Sequence, residues 1–149
     1  MKVAIGSDHA GYDLKQFLHK GLSDLEYDII DCGTDNEESV DYPDFARTVC
    51  DRVLSNEADF GIVICGTGIG VSISANKING IRAALCHTEF SARMARLHND
   101  ANVLALGGRV LGKDLALAIA VAYLSEKFSG GERHKNRIKK MMGLENSNC

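Results

Sequence analysis

The chain has 149 residues, 45% of them hydrophobic, and a formal net charge of −3. That length suits one domain spanning residues 1–149, and the apolar fraction supports a buried core rather than disorder. Near-balanced charge excludes a dedicated nucleic-acid binder, and no apolar run approaches the roughly 20 residues of a membrane-spanning helix.

The elements read in chain order as strands alternating with helices. Lys2-Val3-Ala4-Ile5-Gly6 is a short strand. Ser7-Asp8-His9 ends its apolar run too early for a signal peptide, so a cytoplasmic protein is expected. A helix follows over Tyr12–Leu25, with Leu14, Phe17, Leu18 and Leu22 on one face. Tyr27–Asp31 is a second strand, and Pro43 opens a second helix through Leu54, where its missing N–H costs nothing. Phe60–Cys65 is apolar on both faces and reads as a buried third strand. A tight loop, Gly66–Gly70, leads into a helix ending near Asn76. Arg82–Cys86 is a fourth strand. Thr88 caps a helix through Leu97, with Phe90, Met94 and Leu97 expected to face inward. Asn102–Leu106 is a fifth strand, followed by helices over Lys113–Ser125 and Glu132–Met142. This alternation predicts an α/β fold: a Rossmann-like three-layer αβα sandwich on a five-stranded parallel sheet, with right-handed crossovers.

In such sheets ligands bind beyond the carboxyl ends of the strands. Ser7–Gly11, Cys65–Gly70, Cys86–Thr88 and Gly107–Arg109 fall there. The segment Cys65-Gly66-Thr67-Gly68-Ile69-Gly70 is neither a Walker loop nor a dinucleotide fingerprint, because its spacing is GxGxG with no Gly-Lys-Ser/Thr. It reads either as a plain strand–helix turn or as a nest of amides converging on an anionic oxygen. Cys65, at the start of the nest, reads either as a small buried residue or as a thiolate base with a lowered pKa. In the second case the nest holds the oxyanion made by proton loss from carbon, and the Thr67 hydroxyl donates to it.

Other polar residues also have two readings. Ser7 or Asp8 is a helix cap, or Asp8 and His9 face a ligand. His98 closes a helix C-terminus, or acts as an acid–base group able to open a cyclic sugar. Arg133 and Arg137, four apart, form part of a solvated basic face, or grip a phosphate with Arg109. The five cysteines are widely spaced, with no CxxC pair, and neither HExxH nor clustered acidic residues appear. Neither a disulfide framework nor a metal site is expected.

Several segments occur together and in order: Gly6-Ser7-Asp8-His9-Ala10-Gly11, Ser39-Val40-Asp41-Tyr42-Pro43-Asp44, Ile64 to Gly70, Ser74-Ala75-Asn76-Lys77, Gly80-Ile81-Arg82-Ala83-Ala84, Ala92 to Arg96, His98-Asn99-Asp100-Ala101-Asn102-Val103-Leu104, and Arg133-His134. On these the chain resembles the RpiB/LacA/LacB sugar-phosphate isomerase family, and within it the ribose-5-phosphate isomerase B type. The resemblance implies metal-free and cofactor-free aldose–ketose isomerisation of D-ribose 5-phosphate and D-ribulose 5-phosphate, a step of the pentose phosphate pathway. It implies Cys65 as the base working through a cis-enediolate, with Thr67 and the amides of Gly66, Gly68 and Gly70 steadying the oxygens. His98, with Asp8, would open the furanose. His9, Arg109, Arg133 and Arg137 would hold the phosphate, and Tyr42 and Asn99 the sugar. It also implies a homodimer, or a dimer of dimers, with the site shared between subunits.

Two positions depart from family patterns. Some members carry a glutamate base after the glycine loop. Here Val71 stands there, which puts the chain in the cysteine branch. Near the C-terminus Glu132 is an extra residue between Gly131 and Arg133, so the loop entering the last helix must differ. Two rivals remain at this point: a sister isomerase for galactose 6-phosphate or allose 6-phosphate, and a non-catalytic phospho-sugar-binding module. No role is assigned to Cys32, Cys50, Cys86 or Cys149.

Overall fold

Alternating side chains on the central strands build two cores, one on each face of a single sheet. This is the arrangement in a computed structural model, which describes residues 1–146; Cys149 lies outside them. The strands are β1 (Lys2–Ser7), β2 (Asp28–Asp31), β3 (Phe60–Cys65), β4 (Ala83–Leu85) and β5 (Val103–Gly107). All pairings are parallel, in the order β2-β1-β3-β5-β4. The helices are α1 (Tyr12–Asp24), α2 (Tyr42–Leu54), α3 (Ile69–Ala75), α4 (Glu89–Asn99), α5 (Lys113–Ser125) and α6 (Glu132–Gly143). None is long and apolar enough to cross a membrane.

Val3, Ile5, Ile62, Ile64, Leu104 and Leu106 point to one face and pack against α1, α4 and α5. Ala4, Val63, Cys65, Val103 and Ala105 point to the other and pack against α2 and α3. This is the two-residue period of a strand covered on both sides. On α1, Leu14, Leu18 and Leu22 are buried as their spacing predicts, each contributing about 1.5–3 kcal/mol. Lys15 joins them, 1% exposed, with its ammonium held by both oxygens of Asp31 at 2.7 and 2.6 Å.

The predicted fold class holds, and most boundaries shift by a residue or two. One side chain is corrected. Phe90, expected inside, is 72% exposed. Thr88 and Ser91 form a reciprocal capping box, which puts Phe90 in the first turn on the solvent side. The face of α4 that meets the sheet is Ala92, Ala95 and Arg96; Met94 and Leu97 are half-buried. Small alanines let this helix sit close, and Phe90 lies off that stripe.

Strand-and-return topology fixes where chemistry can gather. Each of α1 to α5 begins beside strand carboxyl ends and finishes beside strand amino ends. Cys65 therefore lies at one pole of the sheet and the last turn of α4, with His98 and Asn99, at the other. Arg82, just ahead of β4, marks that second pole: its Nε donates to the carbonyls of Asn99 (3.2 Å) and Asp100 (2.9 Å).

Candidate active site

Three strand ends are laced together at the first pole by main-chain hydrogen bonds beyond the sheet. Asp8 N donates to Ile64 O (3.2 Å), Gly108 N to Cys65 O (2.8 Å) and Arg109 N to Gly66 O (2.9 Å). Close approach is needed: a Cβ on Gly107 would stand 2.6 Å from Thr67 O, and one on Gly108 2.9 Å from Ala10 O.

Within this lacing, the loop after β3 turns through Gly68, whose φ of +79° is left-handed. That turn brings Gly68 N back to donate to Cys65 Sγ at 3.2 Å, while Ile69 N donates to Thr67 Oγ1 at 3.3 Å. The thiol is buried, 5% exposed, at the floor of a cleft of about 460 Å³. The cleft is lined by Asp8, His9, Tyr42, Cys65, Gly66, Thr67, Gly70 and Arg109, together with Ala10 and Ile69. Asp8 lines the cleft, and its Oδ1 accepts from Gly11 N at 3.0 Å as the helix-cap reading expects. His9 Nδ1 accepts from Val40 N at 3.2 Å, so the neutral ring carries its proton on Nε2. Tyr42, at the head of α2, lies over Gly70, where an added Cβ would come within 2.7 Å of its ring.

The remaining predicted residues lie elsewhere. His98 and His134 stack, with ring centroids 4.4 Å apart and planes at 8°. Arg133 and Arg137 project from the same exposed face of α6. Asn99 lines a different cavity of about 480 Å³ under α6, with Arg82, Met142 and Glu145. That cavity is slightly larger but holds none of the groups around Cys65. The end of α4 is held firmly. Asp100, left-handed with φ +45°, accepts from Arg96 Nη1 at 2.7 Å and Arg82 Nη2 at 3.3 Å.

Burial pushes the Cys50 thiol up from the ordinary 9.0 to about 12. Burial also raises Cys86, and raises Cys32 despite the neighbouring Arg52. Burial lowers His134 below the usual imidazole value, with the nearby His98, Arg133 and Arg137 acting in the same direction. Among the described residues no group of three or more His, Cys, Asp or Glu could hold a metal ion.

Sequence reasoning missed four contributors. Val40 acts through its main chain and leaves no side-chain signal. Ala10 and Ile69 were hidden inside motifs noted for their neighbours, although an isoleucine between two glycines in an exposed loop is a usable sign. His134 appears only beside Arg133 in one of the family segments, with no role of its own.

An open parallel sheet with its cleft beyond the strand carboxyl ends is the layout of an α/β protein that binds its ligand at that edge. The chain belongs to the Ribose/Galactose Isomerase family, whose sequence profile matches residues 3–141. It is 51% identical over 149 residues to a putative sugar phosphate isomerase, YwlF, of Bacillus subtilis, covering 99% of each chain. It is 45% identical over 144 residues to ribose-5-phosphate isomerase B of Escherichia coli, covering 97% of this chain and 96% of that one. A solved structure of Clostridium thermocellum ribose-5-phosphate isomerase B superposes with a TM-score of 0.97 at 54% identity, covering 100% of both chains.

Proposed function

We propose that this chain, as one domain, interconverts D-ribose 5-phosphate and D-ribulose 5-phosphate with Cys65 as the base. The carrying observation is the Cys65 sulfur at the cleft floor with the Gly68 amide 3.2 Å away. An amide aimed at sulfur is the contact a thiolate uses, and the same turn offers donors where negative charge develops on oxygen. Cys65 takes the proton from C2 of the open-chain aldose, leaving a cis-enediolate whose oxygens lie against Thr67 and the amides of Gly66, Gly68 and Gly70. The proton returns to C1 while the hydroxyl proton on O2 passes to O1, giving the ketose. No net proton or electron is consumed.

Before that step the furanose must open. The anomeric hydroxyl loses its proton, the C1–ring-oxygen bond breaks, and the ring oxygen gains a proton. We assign this to His98, with Asp8, and the phosphate to His9, Arg109, Arg133 and Arg137; Tyr42 and Asn99 touch the sugar. The two-pole geometry supports a site completed by a second copy. β3 and β5 are six and five residues long, so about 17–20 Å of strand separates the poles of one chain. A second copy brings its His98, Asn99, Arg133 and Arg137 to the first copy's Cys65. A working thiol also suits the reducing cytoplasm.

The test is deuterium exchange at C1 of ribulose 5-phosphate in heavy water. Wild type exchanges it; Cys65→Ala should lose exchange while still binding substrate. Exchange at near wild-type rate in Cys65→Ala would remove the thiolate base.

A further inference from the structure

A histidine that moves protons needs its ring held in one plane, commonly by a carboxylate or carbonyl on its far nitrogen. Among the described residues no hydrogen bond holds the His98 ring. Its defined contact is the stack on His134. The backbone makes that stack reproducible. The segment between α5 and α6 is pinned along α4 at successive points: Glu126 pairs with Arg93 at 3.8 Å, and Ser129 N donates to Leu97 O at 3.1 Å. The next step along α4 is His98, and the first turn of α6 delivers His134 over it. Two residues past His98, the same end of α4 is fixed by the clasp of Asp100 between Arg82 and Arg96. The histidine at the end of α4 is therefore fixed in backbone, and its ring is fixed by a neighbour from α6.

We infer that His134 is a positioning residue for ring opening: its imidazole face holds the His98 ring in the plane from which it meets the furanose oxygens. This rests on the reading of His98 given above. It separates His134 from Arg133 and Arg137, its neighbours on α6, which are assigned to phosphate.

The two substrates separate these roles. Ribose 5-phosphate is mostly cyclic and must be opened. Ribulose 5-phosphate cannot form a furanose, because its 5-oxygen carries the phosphate, and it reaches Cys65 already open. The full-length enzyme is assayed for turnover of ribose 5-phosphate and for C1 deuterium exchange of ribulose 5-phosphate. His134→Ala should lower kcat on ribose 5-phosphate about 10- to 100-fold, the usual scale for a misplaced reacting group, and leave exchange within about two-fold. His134→Phe, which keeps a flat ring for the stack, should recover most of the loss. Equal losses in both assays, a change in KM alone, or no loss would overturn the inference, as would failure of phenylalanine to recover turnover. His98→Ala tells the two readings apart. If it shows the split and His134→Ala does not, the positioning role alone fails. If His98→Ala itself keeps ribose 5-phosphate turnover, the ring-opening assignment fails and takes this inference with it.

Discussion

Gly68→Ala tests whether the turn after β3 is built for one residue type. Two costs add. An L-residue held at φ +79° pays about 1–2 kcal/mol for the left-handed backbone. The new Cβ would lie 2.6 Å from Leu85 Cδ1, 2.8 Å from Leu106 C and 3.0 Å from Gly107 N. The leucine methyl can swing aside, but the β5 main chain cannot, and overpacking of this kind costs about 1–3 kcal/mol. The sum is roughly 2–5 kcal/mol, a fall of about 1–2 M in the urea midpoint. Relief by shifting the loop would carry Gly68 N away from Cys65 Sγ, and losing one such donor lowers kcat by about 100- to 1,000-fold. The assays are urea unfolding followed by circular dichroism and steady-state isomerisation. Gly112→Ala is the control: its φ is −67° and an added Cβ there meets nothing within 4 Å, so its midpoint should barely move. A Gly68→Ala enzyme with wild-type midpoint and wild-type kcat would refute the reasoning.

Arg137→Ala should raise KM for ribose 5-phosphate about ten-fold or more with kcat little changed, because a phosphate-gripping guanidinium binds ground and transition states alike; an unchanged KM would take Arg137 out of the phosphate site. Inactive Cys65→Ala and inactive His98→Ala chains, refolded together in equal amounts, should regain about a quarter of wild-type activity, since half the dimers are mixed and each holds one intact site of two. A mixture as dead as its parents would rule out a shared site. The Cys50 thiol, at about 12 in the fold and near 9.0 when unfolded, keeps its proton where the unfolded chain has lost it. Its contribution is whole below pH 9.0 and declines as pH climbs toward about 12. Urea midpoints measured from about pH 8 to about pH 11 should fall, and Cys50→Ala should flatten that fall; an unaltered slope would count against it.

The sheet was legible because its signals are strong and local. β3 and β5 are apolar on both faces, and Thr88 and Pro43 mark helix starts by chemistry that needs no tertiary contact. Cys65 and the glycines stood out because the loop between a buried strand and a helix admits few residue types. Phe90 was misread because apolar spacing cannot tell a core stripe from an exposed first turn when alanines make the close contact. Two poles were also beyond the sequence. His98 and Cys65 were grouped by their chemistry, and only strand-and-return geometry shows them at opposite ends of one chain. The tautomer of His9 depends on the amide of Val40, 31 residues away, a partnership no side-chain pattern records.

The stitching of β1, β3 and β5 past the end of the sheet has a consequence for how such a catalyst can diverge. Asp8, Gly108 and Arg109 tie their main chains to Ile64, Cys65 and Gly66 regardless of what their side chains become. The main chain around Cys65 is therefore part of the frame. Tyr42 and Ile69, by contrast, line the cleft with their side chains, from the first positions of α2 and α3. Under the mechanism proposed above, substitutions there would change the walls of the cleft while the main chain around Cys65 stays in place, so a lineage could explore new substrates without rebuilding its frame.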